Sequence, residues 1–159
     1  MMVAPPKNEH IDMLFDSGAD ELGMNLEFWS DDAWKEYIPG KHREIGKRRY
    51  LEALDYAVKI FGPTKTRSVF VVGLEKMKHT IDGASYVASR GVMPILSPFR
   101  PLNGTLLENI GDFRVDDYLE AYTQITDRIE SFDIPLGPTC ICCQNNTLAM
   151  PMGRHYQMY

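Results

Sequence analysis

An α/β fold with parallel strand–helix units is what this chain predicts, as a partial barrel of about four such units or a small open sheet. Three observations predict it. Short β-type runs alternate with helical patterns along the sequence, and such alternation implies parallel pairing through right-handed crossovers. SVFVVGL is a continuous apolar run, of the kind buried on both faces of a parallel sheet. Finally, 159 residues, 44% of them hydrophobic, suffice for one real core and hardly for two.

The elements follow in order. MMVA reads as a short buried strand, and IDMLFDSGA as a helix with Ile11, Leu14 and Phe15 on one face. ELGMNLE reads as the next strand, followed by a long loop. YLEALDYAVKIFG then places Tyr50, Leu51, Leu54, Ala57, Val58 and Phe61 at helical spacing, with Gly62 and Pro63 as the stop. After SVFVVGL come a helix in TIDGASYVASRG, a strand in MPILS and a last long helix in VDDYLEAYTQITDRIESF. Four units are half of what closes an eight-stranded barrel, so the chain is either a small open sheet or part of a barrel. The roomiest loops, Glu27 to Arg43 and Ser97 to Arg114, lie on the carboxyl side of their strands, where α/β proteins usually place function.

A net charge of −5 and a pI near 5.3 leave no basic footprint for a nucleic acid. No apolar run reaches the roughly 20 residues that span a bilayer, and MMVAPPKNEH lacks a signal-peptide pattern, so a soluble, cytoplasmic protein is expected. The three cysteines, Cys140, Cys142 and Cys143, are too close together to staple a fold.

Several strand ends carry polar groups. Asn25 and Glu27, two apart, share one side of their strand, and an amide beside a carboxylate suits an ammonium group or vicinal hydroxyls. A solvated Glu27 that merely begins the loop is the alternative. Arg43, Lys47, Arg48 and Arg49 gather at a helix entry, where they could equally form a solvated face with Glu44 and Glu52. Phe99 offers a stacking or packing surface and Arg100 a fixed charge, in a loop stiffened by Pro98 and Pro101.

GMNLEFWSDD, the basic stretch PGKHREIGKRRYLEALDYAVKIFG, RSVFVVGLEKMKHTIDG and VMPILSPFRPLNGTLL occur in an order and spacing that resemble the radical S-adenosylmethionine enzymes, most closely the branch containing biotin synthase. The resemblance covers roughly Glu21 to Leu107. It implies that Asn25 and Glu27 contact S-adenosylmethionine and that Arg43 holds its carboxylate, bidentately if the geometry allows. It also implies that Val72 and Gly73 flank adenine, where a glycine lets backbone approach the ring. Glu75 would anchor the turn into the next helix, although the chain has Gly-Leu-Glu where the fuller pattern has Gly-Leu-Gly-Glu. Ser97, Phe99 and Arg100 would lie near adenine and substrate.

Those enzymes hold a catalytic [4Fe–4S] cluster through Cys-x3-Cys-x2-Cys, a motif this sequence does not contain. The resemblance therefore implies the carboxyl-terminal part of the barrel over residues 1–138, followed by a cysteine-containing tail over residues 139–159. The complete enzyme would use the cluster to make a 5′-deoxyadenosyl radical from S-adenosylmethionine, and this part alone would be inactive. An N-terminal half-barrel chain or a second copy is the expected partner, besides a small-molecule substrate. Cys140 and Cys143 have a spacing compatible with zinc, an auxiliary iron–sulfur centre or a redox dithiol, while a metal-free thiol cluster is equally open. Two other functions stay open: a non-catalytic binding or assembly subunit, and a small metal or redox protein centred on that cysteine loop.

Overall fold

The computed structural model describes residues 2–110 and 114–138. Three parallel strands form its sheet in sequential order: β1 (Leu22–Gly23), β2 (Thr66–Val72) and β3 (Met93–Pro98). Single parallel bridges extend it at both sides, Met2 to Gly23 and Ile95 to Gly137. Five chain segments thus lie side by side without any reversal of order.

Helices connect the strands. Helix α1 (Asn8–Asp16) precedes β1, and α2 (Asp31–Tyr37), α3 (Pro39–Glu44) and α4 (Lys47–Phe61) join β1 to β2. Helix α5 (Met77–Ser89) joins β2 to β3, and α6 (Val115–Ile129) follows β3 and ends in a 3-10 turn at Glu130–Phe132. The alternating strand–helix reading is borne out by these elements. Among the described residues, no helix is long and apolar enough to cross a membrane.

Three expectations need correction. The stretch from Glu27 to Arg43 is not a long loop, because α2 and α3 fill most of it. The Ser30 side chain accepts the Ala33 N–H at 3.1 Å, Asp31 and Asp32 favour the positive helix start, and Pro39 opens α3. These are sequence signals that hydrophobic periodicity over so short a stretch does not register. Nor is β2 buried on both faces. Thr66, Ser68, Phe70 and Val72 are buried while Arg67, Val69 and Val71 are half-buried, since helices cover one side only. The regular part of the predicted ELGMNLE strand is just Leu22–Gly23, because the pairing slips by one residue. Leu22 pairs with Thr66, an offset of 44, whereas Glu27 bridges Phe70, an offset of 43, so one extra residue is accommodated between them.

The core lies between the sheet and the helices. Trp34 of α2 meets Tyr50 of α4 edge to face, with ring centroids 5.4 Å apart, and the Trp34 ring N–H donates to the Phe28 carbonyl at 2.8 Å. Leu22, Leu26, Phe70, Ala53 and Ala57 complete this layer. Burial of each large side chain stabilises the fold by about 1.5–3 kcal/mol. Helix α5 comes unusually close to β2 at Gly83, where an added Cβ would stand 2.7 Å from the Trp29 Cβ and 2.8 Å from the Phe70 ring.

Helix α6 is tied to α5 by Arg128, whose guanidinium donates to Asp82 at 3.0 Å, while Lys78 holds the other carboxylate oxygen at 2.7 Å. The hydrogen bond from Lys78, reinforced by Arg128, holds the Asp82 carboxyl below the usual carboxylate range. Its stabilising contribution is therefore present above that range and is lost as pH falls through the depressed folded-state value. Asp82→Asn should show a shallower loss of Tm between pH 6 and pH 2 than the unsubstituted chain; equal slopes would show that this tie contributes nothing.

Candidate functional site

The extra residue in the second segment governs what happens at the carboxyl ends of the strands. Regular ladder bonds fail there and side chains replace them. The Leu26 N–H donates to the Ser68 hydroxyl at 3.0 Å, and the Val69 N–H donates to the Asn25 side-chain oxygen at 3.4 Å. Asn25 therefore has its oxygen committed to the sheet and its amide N–H groups left for other contacts. Burial still alternates, with Met24, Leu26 and Phe28 inside and Asn25 and Glu27 on the half-buried face.

Glu27 sits in the left-handed backbone region, at φ 67°. Two backbone bonds hold it there: its N–H donates to the Val69 carbonyl at 2.9 Å, and its carbonyl accepts the Val71 N–H at 2.8 Å. A non-glycine residue in that region costs of order 1–2 kcal/mol, and such strain gathers where geometry serves a site.

The cation beside this carboxylate is Lys41, from α3. Its ammonium donates to Glu27 Oε1 at 2.7 Å and reaches the Asn25 carbonyl at 3.5 Å, over the Tyr50 ring at 5.6 Å from the centroid. Arg43 lies elsewhere, pairing with its neighbour Glu44 on an exposed part of α3. Periodicity could not have singled out Lys41, since α3 was not foreseen and its position relative to the strand end depends on the α2–α3 turn. Of the remaining basic cluster, Lys47 ties the Trp29 carbonyl at 2.8 Å and Asp31 at 2.5 Å, and that bond to Lys47 lowers the Asp31 pKa. Arg48 pairs with Glu52 one turn on, and Arg49 with the Pro6 carbonyl.

Glu75 serves the turn. Its carboxylate accepts the Trp29 N–H at 3.0 and 3.1 Å, the Ser30 N–H at 2.8 Å and the Thr80 hydroxyl at 3.2 Å. It thus clamps the loop after the second segment, at the start of α2, to the turn after β2 and to α5. Its oxygens are spent on the protein, consistent with an anchoring role.

On β2 and β3, paired residues share a face, so Val71 stands with Ser97 and Val69 with Ile95 on the side carrying Asn25. Arg67, lower on this face, pairs with Glu21. Val72 is fully buried on the helix side, leaving its backbone as its contribution to any ligand, and its carbonyl accepts the Phe99 N–H at 2.8 Å. Gly73 follows with φ 108°. Ser97 and Phe99 are half-buried at the end of β3 and just beyond it, and Arg100 is exposed. The structure therefore brings Asn25 and Glu27 together with Lys41, sets Ser97 on the face of Val71, and leaves Arg43 apart from them. Among the described residues, no group of three metal-ligating side chains occurs, and Cys140 and Cys143 lie outside those residues.

No family model matches the chain. Among curated proteins it is similar to one named bacteriochlorophyllide c C-7(1)-hydroxylase, from Chlorobaculum limnaeum, with 31% identity over 126 residues. That alignment covers 76% of this chain and 31% of the relative, so the chain spans about a third of the length of the curated protein it matches. Taken with the strand-end motifs, this match loosely supports a relationship to the radical S-adenosylmethionine enzymes.

Proposed function

We propose that this chain is the carboxyl-terminal part of a radical S-adenosylmethionine enzyme barrel and supplies protein contacts to that cofactor's nucleoside portion. The observation that carries the reading is Glu27: a carboxylate held in left-handed backbone at a strand end and paired at 2.7 Å to Lys41. Lys41 already neutralises Glu27, so a further cation gains little there. Vicinal hydroxyls donating to the second carboxylate oxygen fit better. The side-chain amide of Asn25 adds donors on the same face, and the Gly73 backbone can approach a flat ring for lack of a Cβ.

A [4Fe–4S] cluster in the complete enzyme would supply the electron that cleaves S-adenosylmethionine. This chain's residues bind and orient the nucleoside end. In its relative's name the substrate is a bacteriochlorophyllide, and a large ring system of that kind is the substrate class we assign to the complete enzyme.

Without the cluster, binding should be no tighter than roughly millimolar, worth about 4 kcal/mol. An NMR titration with S-adenosylmethionine should shift the amides of Asn25, Glu27, Lys41, Val71, Gly73 and Ser97. Lys41→Met and Glu27→Gln should each weaken binding about tenfold, with Arg43→Ala within twofold. Shifts confined to other surfaces, or indifferent to Glu27→Gln, would sink the assignment.

A further inference from the structure

We infer that Ser68 is a positioning residue for the proposed cofactor site: its buried hydroxyl holds the second segment one residue out of register and so keeps the Glu27 carboxylate facing Lys41. The consequence for the cofactor rests on the reading above, whereas the hold of Ser68 on Glu27 does not.

The backbone donors show what the slip displaces. Up to residue 24 the second segment pairs regularly with β2, the Leu22 N–H donating to the Lys65 carbonyl at 2.9 Å and the Met24 N–H to the Arg67 carbonyl at 3.0 Å. A regular parallel ladder advances two residues on each strand, so the Val69 carbonyl should next receive the Leu26 N–H. It receives the Glu27 N–H instead, at 2.9 Å. The Leu26 N–H is displaced in a buried stretch, and the Ser68 hydroxyl accepts it at 3.0 Å. The opposite direction is shifted in the same way. The Val71 N–H donates at 2.8 Å to the Glu27 carbonyl where regular register would offer that of Leu26, and the Val69 N–H turns to the Asn25 side-chain oxygen at 3.4 Å.

A buried N–H without an acceptor costs free energy comparable to a lost hydrogen bond, so the slipped register depends on these side chains. Ser68 makes the shorter of the two bonds. It is fully buried on the helix side of β2, while Asn25 and Glu27 lie on the other face, so any effect of Ser68 on a ligand passes through the backbone. The competing arrangement is close at hand. Continuing the offset of 44 would pair Leu26 with Phe70 and Glu27 with Val71, buried with buried and half-buried with half-buried. That register needs no side-chain acceptors and would let Glu27 relax from φ 67° to extended backbone.

Thr66 supplies the contrast. It too is fully buried on this face of β2, but it pairs with Leu22 where the ladder is regular, and its hydroxyl has no hydrogen-bond partner among the described residues. Of two buried hydroxyls two residues apart, the one at the slip is bonded to the neighbouring segment's backbone.

The test is NMR on the isotope-labelled chain, reading the Glu27 backbone angle from its Cα and Cβ shifts and its amide coupling, then titrating S-adenosylmethionine. Ser68→Ala should return Glu27 to negative φ and weaken binding at least tenfold, with Thr66→Val matching the unsubstituted chain in both. Should Ser68→Ala not fold, Ser68→Cys keeps the volume with a poorer acceptor and should move the same Glu27 signals in the same direction. Glu27 still at positive φ in the Ser68 variant overturns the inference, whatever the affinity. A negative φ with unchanged affinity overturns the positioning role. An unsubstituted chain whose amides do not respond to S-adenosylmethionine overturns the cofactor reading, and the Glu27 angle still decides the hold of Ser68 by itself.

Discussion

Glu75→Ala is expected to lower the unfolding free energy by about 3 kcal/mol, measured by urea denaturation. One carboxylate satisfies the Trp29 and Ser30 backbone N–H groups and the Thr80 hydroxyl. Hydrogen bonds to a charged group are worth about 1.5–3 kcal/mol each, and deletion leaves the donors partly buried without an acceptor. The bonds share one carboxylate, so the losses do not add in full. Glu75→Gln keeps one oxygen and should cost about half as much. Glu75→Ala should also weaken S-adenosylmethionine binding, because Trp29 and Ser30 lie two and three residues after Glu27 in the same loop. A loss below 0.5 kcal/mol on Glu75→Ala, within the range of ordinary surface changes, would show that the clamp is dispensable.

Gly83→Val is expected to cost about 3 kcal/mol. The first atom added meets the Trp29 Cβ at 2.7 Å and the Phe70 ring at 2.8 Å, and a Cβ is too close to the backbone to swing aside. Overpacking of this kind costs about 1–3 kcal/mol, with a second contribution from the branched methyl groups. Gly83→Ala should cost less, since replacing a helical glycine returns about 1 kcal/mol. Gly40, in α3, has nothing within 4 Å of an added Cβ, so Gly40→Ala should stabilise by up to about 1 kcal/mol. Gly83→Val and Glu75→Ala both act on Trp29, so a double-mutant cycle should show them coupled. Strict additivity would mean that Trp29 relaxes independently at the two contacts.

Legibility in the sequence followed the length of each pattern. Helix α4 was readable because its apolar residues recur over four turns and Gly62 ends it, with φ 90° at the C-cap. Strand β2 was readable as a strand from its composition, but not its one-sided burial, because a run of valines looks alike whether one face or two are covered. Helices α2 and α3, of seven and six residues, offer too few turns for periodicity, although Ser30 and Pro39 marked their starts.

By itself the sequence determined the α/β class, the order of strands and helices and the strand ends where polar groups gather, because these depend on local pattern and on short spacings. Tertiary structure decided which cation meets Glu27. Lys41 and Arg43 are two residues apart in one basic stretch, and nothing in local pattern separates them. The turn between α2 and α3 and the extra residue between Leu22 and Glu27 set the distances, directing Lys41 to the carboxylate and Arg43 to its exposed neighbour Glu44. The strand register depends on segments distant in sequence, and the contact it sets joins residues 14 apart, which the composition of either segment cannot carry.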